Sequence, residues 1–192
     1  MVLDELLVKY RAHKVHSKHV EYLSLMLFDL LKEQGLHDMG DKERELLKIG
    51  AALHDIGYFL GAKGHNKNSA ELILKENLNG LGVASKEMVA AIARYHRGNL
   101  PNKHHALYAA FTDKKRKKLQ KLAGIVRLAD GLDRSHLRLI SSLELKYDSD
   151  DNLLWCYVIS QNPDVAVDLS AARRKKDLFE KGFELQMVVL EK

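Results

Sequence analysis

The sequence predicts a mostly α-helical bundle carrying a small C-terminal α+β element made of a β-hairpin, a helix and a strand. Three observations predict it. Apolar residues recur at helical spacing through most of the first 140 residues. The period shortens to that of strands beyond them, and the two prolines, Pro101 and Pro163, both fall at breaks between elements. A length of 192 residues suits one domain with a buried core. We expect residues 1–140 to form the helical body and 141–192 a β-β-α-β extension packed on it as a single unit.

Each element has a local cause. His16, Val20, Leu23, Leu27 and Leu30 form an inward stripe over 16–34, and Gly35 ends that helix. Asp41 can cap a second helix through Leu46, Leu47, Ile49 and Leu53 that stops near Gly57. A loop containing Gly61 and Gly64 leads to a helix over 69–78. Ser85 can cap a helix carrying Val89, Ile92 and Ala93, and a long helix covers 114–136. In the tail, 142–147 and 153–160 read as strands around a turn at 148–152, followed by a helix over 165–179 and a third strand over 184–190.

Composition narrows the classes of function. Hydrophobic residues make up 46% and charged residues 30%, the balance of a soluble globular protein. No apolar run nears the roughly 20 residues that span a bilayer, and the start, Met1-Val2-Leu3-Asp4-Glu5, has no signal-peptide pattern. The one cysteine, Cys156, sits in the apolar run 153–159. That implies a buried reduced thiol, excludes an intrachain disulfide and a cysteine-based zinc site, and points to the cytoplasm. The net charge of +5 admits anionic partners, and the basic blocks 114–118 and 173–176 supply much of it. Each block reads first as the solvated face of a helix, with nucleic acid or polyphosphate as the alternative. Neither contains an aromatic residue, which argues against a stacking platform for single strands.

The chemistry lies in polar residues on apolar faces. His16 belongs to the Val20/Leu23/Leu27 stripe, although His19, with Leu23 and Met26 on its side, competes with it. His54 follows Leu47, Gly50 and Ala51, and the small residues Gly50, Ala51 and Ala52 would admit a second helix close by. Asp130 follows Ala123 and Val126, and His96 follows Val89, Ile92 and Ala93. An isolated buried carboxylate is costly or takes up a proton, so several inward His and Asp side chains are best explained by a shared cation. Imidazoles with carboxylates suit Mn, Fe, Co, Ni or Zn, and Mg less well. A divalent ion of this kind acidifies water and polarises a phosphoryl oxygen, the minimum equipment for phosphoester hydrolysis. A second His-Asp pair, His37-Asp38, lies between Gly35 and Gly40 in a polar loop and is set aside as a decoy.

The segments His16-Ser17-Lys18-His19-Val20, Leu53-His54-Asp55-Ile56-Gly57-Tyr58, Arg94-Tyr95-His96-Arg97-Gly98 and Arg127-Leu128-Ala129-Asp130-Gly131-Leu132-Asp133-Arg134-Ser135-His136 occur in that order. Together they resemble the HD superfamily of metal-dependent phosphohydrolases. More narrowly, they resemble the C-terminal HD-like domain of the exopolyphosphatase / guanosine pentaphosphate phosphohydrolase family, from about residue 14 to the end. The resemblance implies an HD-domain helical bundle with His16, rather than His19, as the first metal ligand, His54 and Asp55 as the doublet, and Asp130 closing the site. The family commonly carries a histidine just before the Ser-Ala that is here Ser69-Ala70. This chain has Asn68 there, which leaves His65 and His96 as a second metal site or as phosphate contacts. Lys18, Lys67, Arg94, Arg97 and Arg134 are the candidate substrate-binding cations, and Arg97 and Arg134 are preferred because arginine grips phosphate in two places. Asp55 and Asp130 are the candidate catalytic carboxylates, orienting the attacking water or accepting its proton.

In full-length relatives, polyphosphate hydrolysis is attributed to N-terminal actin-like domains that this sequence lacks, so the expectation is a free-standing copy. Its four ligand types favour a metal-dependent phosphohydrolase acting on a nucleotide or another phosphorylated small molecule. Polyphosphate or a guanosine polyphosphate enters by family analogy alone. Three rivals stand beside this: a non-catalytic polyphosphate- or nucleotide-binding module, a di-iron oxygenase using His65 and His96, and RNA binding through the basic blocks. No membrane partner is expected, and a homodimer is compatible with the sequence.

Overall fold

The computed structural model describes residues 3–78, 80–162 and 164–192; Pro163, read above as a break, lies outside the described residues. The helical part runs α1 (Leu3–Lys9), α2 (Lys14–Glu33), α3 (Asp41–Ala52), a 3-10 turn (Ile56–Leu60), α4 (His65–Lys75), α5 (Val83–Tyr95), a short α6 (Ala106–Ala109) and α7 (Asp113–Leu132). An antiparallel hairpin follows, β1 (Ile140–Asp148) and β2 (Leu153–Ser160). Then α8 (Ala166–Lys175) and α9 (Asp177–Phe183) lead to β3 (Gln186–Glu191), which pairs parallel to β2. The sheet order is β1-β2-β3, so the protein is mostly helical with a small C-terminal sheet. Among the described residues, no helix is long and apolar enough to cross a membrane.

The α2 stripe buries Val20, Leu23, Leu27 and Leu31 completely. Gly35, at φ +73°, ends the helix as expected: its N–H donates to Lys32 O and the Leu36 N–H to Leu31 O, both at 3.0 Å, closing the last carbonyls. Several boundaries differ from the sequence reading. Gly40, not Asp41, caps α3, and the Glu43 carboxylate accepts the Gly40 N–H at 3.2 Å. Helix α4 starts at His65 rather than near 69, because Gly64 takes the left-handed turn at φ +73°. Gly82 rather than Ser85 caps α5, and α7 stops at Leu132 instead of 136. The helix expected over 165–179 is two helices, broken at Lys176. The sequence reading had no counterpart to α1, held by buried Leu6 and Leu7, or to α6.

Helix α7 is the axis on which the C-terminal extension rests. A Cβ on Gly124 would lie 2.7 Å from Phe179 Cα, and one on Gly131 2.9 Å from Ala172 Cα. Helices α9 and α8 therefore approach α7 backbone to backbone. The block 173–176 is not a bare solvated face. Arg173 Nε donates to Val189 O at 3.0 Å, Arg174 to Ser170 Oγ at 2.6 Å and Lys176 to Glu180 at 2.7 Å, while Lys175 turns inward to Asp130. Cys156 is fully buried in β2, and burial pushes its thiol up to about 12.

Two glycines bring the remaining helices together. A Cβ on Gly50 would meet the Ile92 side chain at 2.6 Å, so α3 and α5 touch there, as the run of small residues implied. A Cβ on Gly57 would lie 2.0 Å from His65 O and 2.4 Å from Ser69 N, and the Gly57 N–H donates to Ser69 Oγ at 2.8 Å. The first clash is with a side chain and the second with backbone. Gly57→Ala is therefore expected to cost at least about 3 kcal/mol in urea unfolding, and Gly50→Ala about 1 kcal/mol. Equal small losses would contradict this packing.

Candidate metal centre

His54 and Asp55 lie not on a helix but in the turn between α3 and the 3-10 segment. Neighbouring side chains on a helix diverge by about 100°. Leaving the helix at Leu53 lets two consecutive residues face one point. His16 enters from the first turn of α2, His65 from the first residue of α4, His96 from the C-terminal cap of α5, and Asp130 from the last turn of α7. All six side chains are buried.

The six side chains overlap in small groups, two of which share Asp55. His16 Nε2 lies 3.2 Å from His54 Nε2, 3.4 Å from Asp130 Oδ1 and 3.8 Å from Asp55 Oδ2, and His54 Nε2 is 3.4 Å from Asp55 Oδ2. On the other side of the same carboxylate, Asp55 Oδ1 lies 3.1 Å from His65 Nε2 and 3.4 Å from His96 Nε2, which are 3.3 Å apart. Donors about 2.1 Å from an ion sit about 3.0 to 3.4 Å apart in octahedral or tetrahedral coordination. These buried His and Asp groups could therefore hold a metal ion, and His54, His96 and Asp130 form a third such combination.

The hydrogen bonds of the far ring nitrogens say more. Nδ1–H donates to Asp133 Oδ2 from His16 at 2.7 Å, to Ala51 O from His54 at 2.7 Å, to Ala62 O from His65 at 3.0 Å and to Ala93 O from His96 at 2.6 Å. Because these partners only accept, each neutral ring is left with its Nε2 lone pair facing the site. Two Nε2 atoms 3.3 Å apart, as in His65 and His96, then repel, which a cation between them would relieve; the Arg97 guanidinium, 3.4 Å from His65 Nε2, lies at the edge of this pair. Burial, followed by its nearness to His54, pushes His96 down to about 3, so this ring is neutral. Asp55 Oδ1 is buried without a hydrogen-bond partner despite its nearness to His65, the orphaned acceptor a cation would satisfy.

The first pair behaves differently. Burial would lower the His16 pKa, but hydrogen bonds to Asp130 and Asp133 outweigh it and raise it to about 9. Burial also works against ionising Asp55 and Asp130. Neighbouring imidazoles for Asp55, and first Lys175 and then His16 for Asp130, nevertheless hold both well below the usual carboxylate range.

A cavity of about 260 Å³ opens onto Asp55, His65, His96 and Asp130, and Arg97, Arg134 and Lys175 line it. Tyr58 stacks on His65 at 3.8 Å and His136 on His16 at 3.8 Å, so both rings are clamped. Of the expected substrate cations, Arg97 and Arg134 lie at this cavity. Lys18 does not: it pairs with Asp4 at 3.2 Å and Glu21 at 3.3 Å beside a separate pocket lined by His19. Lys67 and Arg94 line another hollow with Tyr95 and Asn99. His19 is buried but stands outside the cluster. Asn68 turns its amide to Gly57 O at 3.4 Å, and His37 donates to Phe28 O at 2.9 Å, fixing a loop.

A family model described as Ppx/GppA phosphatase, domain III, matches residues 2–170. The chain belongs to this family. The domain III match ends within α8, so Lys175 comes from beyond the matched residues. Sequence reasoning missed Lys175, hidden in a basic block, and the roles of Asp133, Tyr58 and His136. For Asp133 a signal existed, since it follows Asp130 by three residues. Asp133 is fully buried, accepts the Arg138 N–H at 2.9 Å, and fixes the His16 tautomer. Asp133→Asn is expected to weaken Mn2+ binding about ten- to hundred-fold in titration calorimetry with the fold retained. Unchanged affinity would show that the Asp133–His16 bond does not tune the site.

Proposed function

We propose that this chain is an HD-domain metal-dependent phosphohydrolase. The observation that carries this is the shared carboxylate: Asp55 presents one oxygen to His16 and His54 and the other to His65 and His96. In this reading His16, His54, Asp55 and Asp130 hold one divalent ion, and Asp55, His65 and His96 hold a second. The donor set fits Mn, Fe, Co, Ni or Zn better than Mg. An ion held there supplies Lewis acidity toward a phosphoryl oxygen and makes water more acidic.

The protein's own groups do the rest. Arg97 and Arg134 hold the phosphoryl oxygens of a nucleotide or another phosphorylated small molecule at the cavity. Asp55 and Asp130 stay ionised, which suits orienting a water molecule through its hydrogens more than storing its proton. One bond supports treating the helical body and the extension as a single unit: Asp168 of α8 accepts the Ser135 N–H at 2.7 Å.

Because the match is to one domain of a phosphatase, a non-catalytic module that binds a phosphorylated anion is the rival reading. A phosphatase panel with the chelated protein resupplied with Mn2+, Co2+, Ni2+ or Mg2+ separates them. We expect turnover restored best by the transition metals and reduced more than about a hundred-fold in His54→Ala. Metal binding with no turnover of nucleotides, sugar phosphates or polyphosphate would favour the binding module, and turnover by the chelated protein would remove the metal from the account.

A further inference from the structure

The basic block 173–176 contributes one side chain to the centre of the molecule. Lys175 ends α8, which lies against α7 because Gly131 leaves room for the Ala172 backbone. Its side chain is 23% exposed, lines the cavity, and places Nζ against Asp130 Oδ2, while Asp130 Oδ1 faces His16 and His54. We propose that Lys175 is a phosphate-binding residue of this cavity, gripping an anion while it remains on Asp130. The inference rests on the metal-centre reading above.

Three observations support it. First, an ammonium has three donors, and among the described residues the one hydrogen-bond partner of Lys175 is Asp130, so donors are left for the cavity. Second, the other cations are placed differently. Arg127 is used up by Asp177, at 2.7 and 2.9 Å, and by Gly98 O at 2.9 Å. Arg97 and Arg134 are exposed, whereas Lys175 touches a carboxylate of the ligand set.

Third, the charges at the cavity favour an anion. Asp55 and Asp130 bring two negative charges to the cluster, and divalent ions alone would neutralise or exceed them. Lys175 and an ion held by His16 and His54 would share the single carboxylate of Asp130, and a further anion lying against both would add the negative charge that one carboxylate cannot give to each. A phosphate group carries the charge and the acceptor oxygens to do so. Lys175 would then make the cavity selective for an anion bearing several acceptor oxygens.

Titration calorimetry of the Mn2+-loaded full chain with orthophosphate tests this. Lys175→Met is expected to weaken phosphate binding about ten- to hundred-fold while Mn2+ affinity stays the same or tightens, since a like charge has been removed. Lys175→Arg should recover most of the phosphate affinity. Unchanged phosphate affinity in Lys175→Met would overturn the proposal. So would Mn2+ affinity falling in step with it, because Lys175 would then merely support Asp130. If Lys175→Met does not fold by circular dichroism, Lys175→Gln is read by the same criteria, and failure of both to fold would assign Lys175 to structure. A wild type that binds no phosphate also contradicts it. Phosphate binding without turnover of any phosphoester would instead refute the hydrolase reading and leave this one standing.

Discussion

The Asp55 carboxylate lies between two pairs of imidazoles, His16 and His54 at one oxygen and His65 and His96 at the other, and the helices around it are placed to keep it there. An ionised carboxylate that is 8% exposed and has one orphaned oxygen is expensive in isolation. The chain answers that cost with geometry. Five segments bring a ligand-type side chain to one point, and Gly50 and Gly57 remove the side chains that would hold α5 and α4 away. Stability and chemistry are thus set by the same contacts, because whatever separates these helices also opens the cluster.

Much of this was legible in the sequence. The stripe through Val20, Leu23 and Leu27, the stop at Gly35, the strands of the tail and the small residues before His54 all express local rules that tertiary packing did not overrule. Periodicity could not separate His16 from His19, because both are buried on α2. What separates them is Asp133 and His54, residues far away in sequence. Helix ends are less legible in the sequence for a related reason. The apolar pattern that runs past Ala52 predicts His54 on a helix, yet aiming two consecutive side chains at one point requires the helix to stop. The early start of α4 likewise turns on a left-handed Gly64, which pattern alone does not reveal.

The C-terminal extension was harder to read. Four successive basic residues resemble a solvated face, and the signal that one of them points inward is the backbone contact of Gly131 with Ala172, a property of two helices together. That contact also explains how the extension takes part in the site. Asp168 holds the loop after α7 through Ser135, while Lys175 reaches Asp130, so the last turns of α7 are braced from one side by α8 and from the other by His16. The polar character of the cavity follows: buried carboxylates and ring nitrogens meet a wall of cations, a distribution that suits a metal-assisted reaction of an anion.

The central claim is that one carboxylate serves two ion sites, and metal content tests it most directly. Wild type and Asp55→Asn would be stripped with chelator, dialysed against Mn2+ and analysed for bound metal per chain. The account predicts about two ions in the wild type, the adjacent-pair arrangement of two-metal sites, and loss of most bound metal in Asp55→Asn. A wild type that retains no metal, or an Asp55→Asn variant that binds as much as the wild type, would contradict it.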